Sequence, residues 1–83
     1  MIDREGIAAM RLKVTRKTKG LRIFELAAKA YLSKEIVSNI ETGRRRMSIE
    51  SAIALSRVLK VRPEWLLALD MIQWREEDDD DSD

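Results

Sequence analysis

Neither cysteine nor histidine occurs in the 83 residues. The first absence excludes a disulfide framework, a thiolate zinc site and a thiol nucleophile. The second removes the commonest general base and the commonest metal ligand together. Carboxylates remain, but nothing groups them except a C-terminal run too flexible to hold a catalytic geometry. An enzyme is therefore not expected, and neither is a cofactor or a small-molecule ligand. Long apolar runs are also lacking: Trp65-Leu66-Leu67-Ala68-Leu69 is far too short to span a bilayer. The first residues, Met1-Ile2-Asp3-Arg4-Glu5, have neither the basic region nor the apolar run of a secretion signal. The expectation is a cytoplasmic protein with no membrane partner.

A chain of this length makes one domain at most, because domains usually run to about 100–150 residues. A single small core leaves such a chain only marginally stable, which makes association into a homodimer a reasonable expectation before any motif is read. The formal net charge of +1 hides an asymmetry. Residues 11–62 hold 14 Lys and Arg against 4 Glu, whereas residues 63–83 hold one Arg against 9 acids. A basic body with an acidic tail points to a polyanion partner, with the tail read either as a solubilising extension or as a segment that folds back on Arg44–Arg46 and competes with that partner.

With one proline and three glycines, chain breaks are few and informative. Between them apolar residues recur at three and four rather than two, so the fold class is all-α, with five helices. Asp3 suits the N-cap of a first helix over 4–18, with Ile7, Ala8, Met10 or Arg11, Leu12 and Thr15 turned inward, ended by Gly20. A second helix over 22–29 buries Ile23, Leu26, Ala27 and Ala30. A tight connection at Ala30-Tyr31-Leu32 leads to a third helix over 33–41, capped by Ser33, burying Val37 and Ile40 and stopped by Gly43. After the basic loop Arg44-Arg45-Arg46-Met47, Ser48 caps a fourth helix over 49–60, with Ile49, Ala52, Leu55, Ser56 and Leu59 inside. Pro63 opens a fifth, reaching about 75, where its missing N–H costs nothing. The folded domain is thus 1–75, followed by a disordered acidic tail over 76–83.

Residues 23–41 meet the needs of a helix-turn-helix together. Ala27 is small enough for two helices to cross closely, the turn is short, and Val37 and Ile40 anchor the second helix. Its other face carries Lys34, Glu35, Ser38 and Asn39, all polar and all able to reach a base edge in the major groove.

Here the chain resembles the phage repressor and Cro family, also called the XRE or lambda-repressor-like family. The matching text is Lys19-Gly20-Leu21, Glu25-Leu26-Ala27, and Ser33-Lys34-Glu35-Ile36-Val37-Ser38-Asn39-Ile40-Glu41-Thr42-Gly43-Arg44-Arg45. It continues through Ser48-Ile49-Glu50, the segment 55–61, and Glu64-Trp65-Leu66-Leu67. The resemblance covers about residues 7–69. It implies a compact lambda-repressor-like domain, double-stranded DNA as partner, and a homodimer on a palindromic operator. It also implies a bacterial or phage-encoded protein, associated with the nucleoid when bound to DNA. Carried over by position, Lys34, Glu35, Ser38 and Asn39 face bases, and Arg22, Ser33, Arg44, Arg45 and Arg46 face phosphates. Arg16 and Glu41 pair to fix the third helix, and Trp65, Leu66 and Leu69 form the dimer interface, with closure of the subunit's own core as the alternative, above all for Leu66.

Two positions depart from the family pattern. Ile23 stands where many members place a glutamine that meets a phosphate, so that contact passes to Arg22 or is lost. Tyr31 stands where glycine is usual because the turn needs a positive φ, so the turn is either strained or of another geometry, with the ring lying over nearby backbone. Neither removes the polar face. The expected function is a sequence-specific transcriptional regulator, a repressor. The alternatives are an antitoxin or adaptor acting mainly through protein association, and an interaction module without a DNA role.

Overall fold

The computed structural model describes residues 3–72, and all regular structure among them is helical. Helix α1 spans Arg4–Thr18, α2 Ile23–Ala30, α3 Lys34–Glu41, α4 Ile49–Leu59 and α5 Pro63–Leu66, followed by a 3-10 turn, Leu69–Met71. The expected tail, 76–83, lies outside the described residues, as do residues 73–75 at the expected end of the fifth helix.

The helix starts follow the capping chemistry. Asp3 accepts from the Gly6 N–H at 2.8 Å, Ser33 from Ile36 at 3.1 Å and Ser48 from Ser51 at 3.0 Å. Each bond satisfies one of the donors a helix leaves open at its first turn. Arg22 has no acceptor to offer, so α2 is closed from the other side, with the Arg22 N–H donating to Glu25 Oε1 at 2.8 Å.

The ends of α1 to α4 are equally uniform. In each, the residue after a left-handed position sends its N–H back five residues: Leu21 to Arg16, Leu32 to Ala27, Arg44 to Asn39 and Val61 to Ser56. This is the Schellman closure. Gly20 and Gly43 occupy two of the four left-handed positions, while Tyr31 (φ 59°) and Lys60 (φ 63°) occupy the others. The turn at Tyr31 therefore keeps the geometry for which glycine is the usual residue. The ring is 95% exposed, so it does not cover the backbone as expected.

The core is formed by Leu12 of α1, Leu26, Ala27 and Ala30 of α2, Val37 and Ile40 of α3, Leu55 and Leu59 of α4, and Leu66 of α5. Each fully buried leucine or isoleucine contributes about 1.5–3 kcal/mol relative to exposure. Three expectations are corrected. On α1 the inward residues are Ala8, Ala9, Leu12 and Arg16, while Met10 is half exposed. The stripe is completed by an arginine, which apolar periodicity does not count. On α4 Ile49 is 66% exposed. It is in phase with Ala52 and Ser56, but phase gives only a direction, and its side chain lies on the lining of an open groove.

The fifth helix ends at Leu66 rather than near 75. Leu66, Leu67 and Ala68 are all buried, and a helix cannot turn three successive residues to one side. The chain breaks at Ala68, in the left-handed region at φ 61°, and continues as the 3-10 turn.

Candidate nucleic-acid interface

Helix α3 lies between an inner face and an outer one. Val37 and Ile40 point into the core. Lys34 and Glu35 are exposed, and Ser38 and Asn39 partly buried, so the four side chains expected to meet bases share the outward side of one eight-residue helix.

An ion pair buried at its far end fixes how that helix sits. Arg16 of α1 donates from Nε to Glu41 Oε2 at 2.6 Å and from Nη2 to Glu41 Oε1 at 3.0 Å. Its remaining Nη1 donates to the Leu21 carbonyl at 2.8 Å. The two side chains are 9% and 4% exposed. Two parallel charge-assisted bonds define the angle between α1 and the end of α3 as well as holding them together. The hydrogen bonds from Arg16 to Glu41, aided by the carboxylate charge, raise the Arg16 pKa against the opposing effect of burial. The guanidinium stays charged.

The residues expected at phosphates surround this helix. Ser33 uses its hydroxyl oxygen as the α3 cap and retains its proton to donate. Arg22 is exposed at the start of α2, and Arg44, Arg45 and Arg46 are exposed in the loop after α3. Sequence reasoning missed a restraint on this loop: Arg46 Nε lies 3.3 Å from Glu5 Oε2 of α1. Glu5 in turn sits 3.3 Å from Arg4 Nη2, and Arg4 Nη1 donates to the Leu67 carbonyl at 2.9 Å. No local pattern in the sequence announces contacts between residues so far apart.

The segment expected at a dimer interface divides. Leu66 is wholly buried in its own chain, where it completes the core, and has no side-chain surface left for a second copy. Trp65 and Leu69 are exposed. Leu69 joins Ile49 and Ile53 of α4, Met47, Pro63 and Leu67 around an apolar groove of about 410 Å³ with Arg4 and Glu64 on its rim. Ile49 was read as part of the inner stripe of α4 and Ile53 lies outside that stripe, so neither was expected at an interface.

A family model described as "Helix-turn-helix" matches residues 12–66, which run from α1 to the end of α5. The chain belongs to that family. It is a DNA-binding regulator of transcription of the XRE type, as the series of motifs from Lys19 to Leu67 implied. A solved chain from a structure titled "SinR protein/SinI protein complex" is similar at 32% sequence identity and a TM-score of 0.69. The match covers 94% of this chain and 73% of that one. Among curated proteins no match is found. No described helix of this helix-turn-helix protein is long and apolar enough to cross a membrane.

Proposed function

We propose that this regulator is a repressor that binds a two-fold-symmetric operator as a homodimer, with α3 in the major groove. The observation that carries the reading is the outward face of α3, four polar side chains on a helix held by the buried Arg16–Glu41 pair and flanked by three arginines. Lys34 suits the O6 and N7 acceptors of guanine, Asn39 the N6 and N7 edge of adenine, and Glu35 the amino group of cytosine, with Ser38 beside them. Arg22, Ser33, Arg44, Arg45 and Arg46 hold the register through phosphates and supply the salt-dependent part of affinity. One eight-residue helix reads only a few base pairs, so useful specificity requires two of them, on half-sites about 34 Å apart.

The second copy docks through the apolar face containing Trp65, Leu69, Ile49 and Ile53. An isologous contact needs a patch that complements itself. An apolar floor with one cation, Arg4, and one carboxylate, Glu64, on its rim meets that condition. Occupation of the operator then excludes other proteins from the same DNA. The similar structure is a complex of two different proteins, which favours a second reading, in which the same face takes a different protein partner and association controls DNA binding.

Selection of bound sequences from random duplex DNA tests the proposal. The expected output is a palindrome whose inner positions relax with Lys34→Ala and Asn39→Ala. Random output from the unaltered protein would refute sequence-specific recognition and favour the association reading.

A further inference from the structure

The 3-10 turn Leu69–Met71 has little of its own to hold it. It is three residues long, contains no buried residue, and follows a left-handed alanine and a helix of only four residues. Segments this short do not persist on local hydrogen bonds alone. Nevertheless the turn carries Leu69, which lines the apolar groove beside Ile49 and Ile53.

One side chain of α1 grips this turn and α5 before it, with two contacts to each. Arg11 Nη1 donates to the Trp65 carbonyl at 2.7 Å and to Asp70 Oδ1 at 2.7 Å, and Nη2 donates to Asp70 Oδ2 at 3.0 Å. Its guanidinium carbon lies 4.7 Å from the centroid of the Trp65 ring. The planar fork of arginine permits the bidentate carboxylate bond and the ring contact together, and lysine offers neither the fork nor the flat face. The Arg11 side chain is 16% exposed, much more enclosed than the half-exposed Asp70 it holds.

We infer that Arg11, through Asp70 and Trp65, is the positioning residue of the homodimer surface, setting the wall of the groove against which a second copy packs. The inference rests on the homodimer reading above. Without the clamp, α5 keeps its place through Leu66, which completes the core, and the chain just after it through the buried Leu67 and Ala68. The turn that follows loses its fixed geometry, and the partner must order it on binding, at a cost in affinity. Arg11 thereby links the middle of α1 to association and, through association, to operator occupancy.

Sedimentation equilibrium of the full chain, alone and with a duplex carrying one or two half-sites, tests this. Arg11→Ala is expected to raise the dimer dissociation constant about tenfold or more, the scale of losing charge-assisted bonds. Arg11→Lys should recover only part of the loss, and Asp70→Asn, at an exposed position that leaves the Trp65 contacts intact, should produce a smaller rise. Affinity for a single half-site should be unchanged while that for the two-half-site duplex falls, a separation that general loss of fold would not produce. An Arg11→Ala protein that fails to fold transfers the decision to Asp70→Asn. Folded variants whose dimer constants stay within about twofold of the unaltered chain would overturn the inference alone, a change below the effect of one charge-assisted bond. An unaltered chain that remains monomeric at the highest attainable concentration, with and without DNA, would overturn the homodimer reading and the inference with it.

Discussion

Replacing Tyr31 with glycine should stabilise the protein, although it deletes one of only four aromatic residues. Tyr31 sits at φ 59° and ψ 38°, closing α2 with its N–H directed to the Ala27 and Ala28 carbonyls. An L-residue in that region carries a steric cost of about 1–2 kcal/mol because Cβ crowds the following carbonyl. Glycine escapes this cost but gives up about 0.5–1 kcal/mol through the greater freedom of its unfolded chain. At most positions the lost side-chain burial would dominate the balance, but this ring is 95% exposed and contributes almost none. The net expectation for Tyr31→Gly is a gain of about 0.5–1 kcal/mol, with Tm rising by about 2–8 °C for a domain of this size. Thermal and urea unfolding measure it, with Gly43→Ala as the opposite control, since Gly43 at φ 83° has open space for a Cβ and only the backbone strain to bear. A lowered Tm for Tyr31→Gly would refute the reasoning and show that the exposed ring makes a stabilising contact.

Other consequences concern charges. Glu41→Ala leaves Arg16 buried without its carboxylate and should cost about 3 kcal/mol or more in unfolding free energy, enough to take a small domain close to its stability limit; urea denaturation measures it. Arg44→Ala with Arg45→Ala should weaken binding to all sequences alike and reduce the slope of log K against log salt by about 2, which filter binding at several salt concentrations would reveal. The bonds from Arg11 hold the Asp70 pKa below its ordinary value of 3.8. A depressed folded pKa means that this contribution to stability is complete above the unfolded value and disappears as pH falls through the folded one. Asp70→Asn should therefore lower Tm near neutrality, where the contribution is fully present, and flatten the profile below about pH 5, so that the two proteins converge in acid.

The sequence made α1, α3 and α4 legible because each carries two independent signals. Asp3, Ser33 and Ser48 cap helices whose apolar stripes point to the same boundaries, and Gly20 and Gly43 supply the expected left-handed stops. The Arg16–Glu41 pair was also readable, through family position. Left-handed Lys60 and Ala68 could not be read, since neither residue type favours that conformation, and both are set there by the burial of their neighbours. The break at Ala68 accordingly hid the shortness of α5. Ile49 kept the right phase yet lines an open groove, and phase alone gives only a direction. The grip of Arg11 on Asp70 joins residues 59 apart, a contact created by the fold and by no local pattern. The polar outward face of α3 was the most legible part of the candidate site, because polarity on one side and anchoring on the other follow from helical spacing over only eight residues.

The central claim is that α3 reads bases, and Asn39 tests it most directly. The measurement is competition binding of the unaltered protein and Asn39→Ala to a set of duplexes in which each base pair of the selected operator is changed singly. The account predicts that Asn39→Ala loses about 1–3 kcal/mol of discrimination at one symmetry-related pair of positions and keeps it elsewhere. Discrimination unchanged at every position, or weakened equally at all of them, would contradict it.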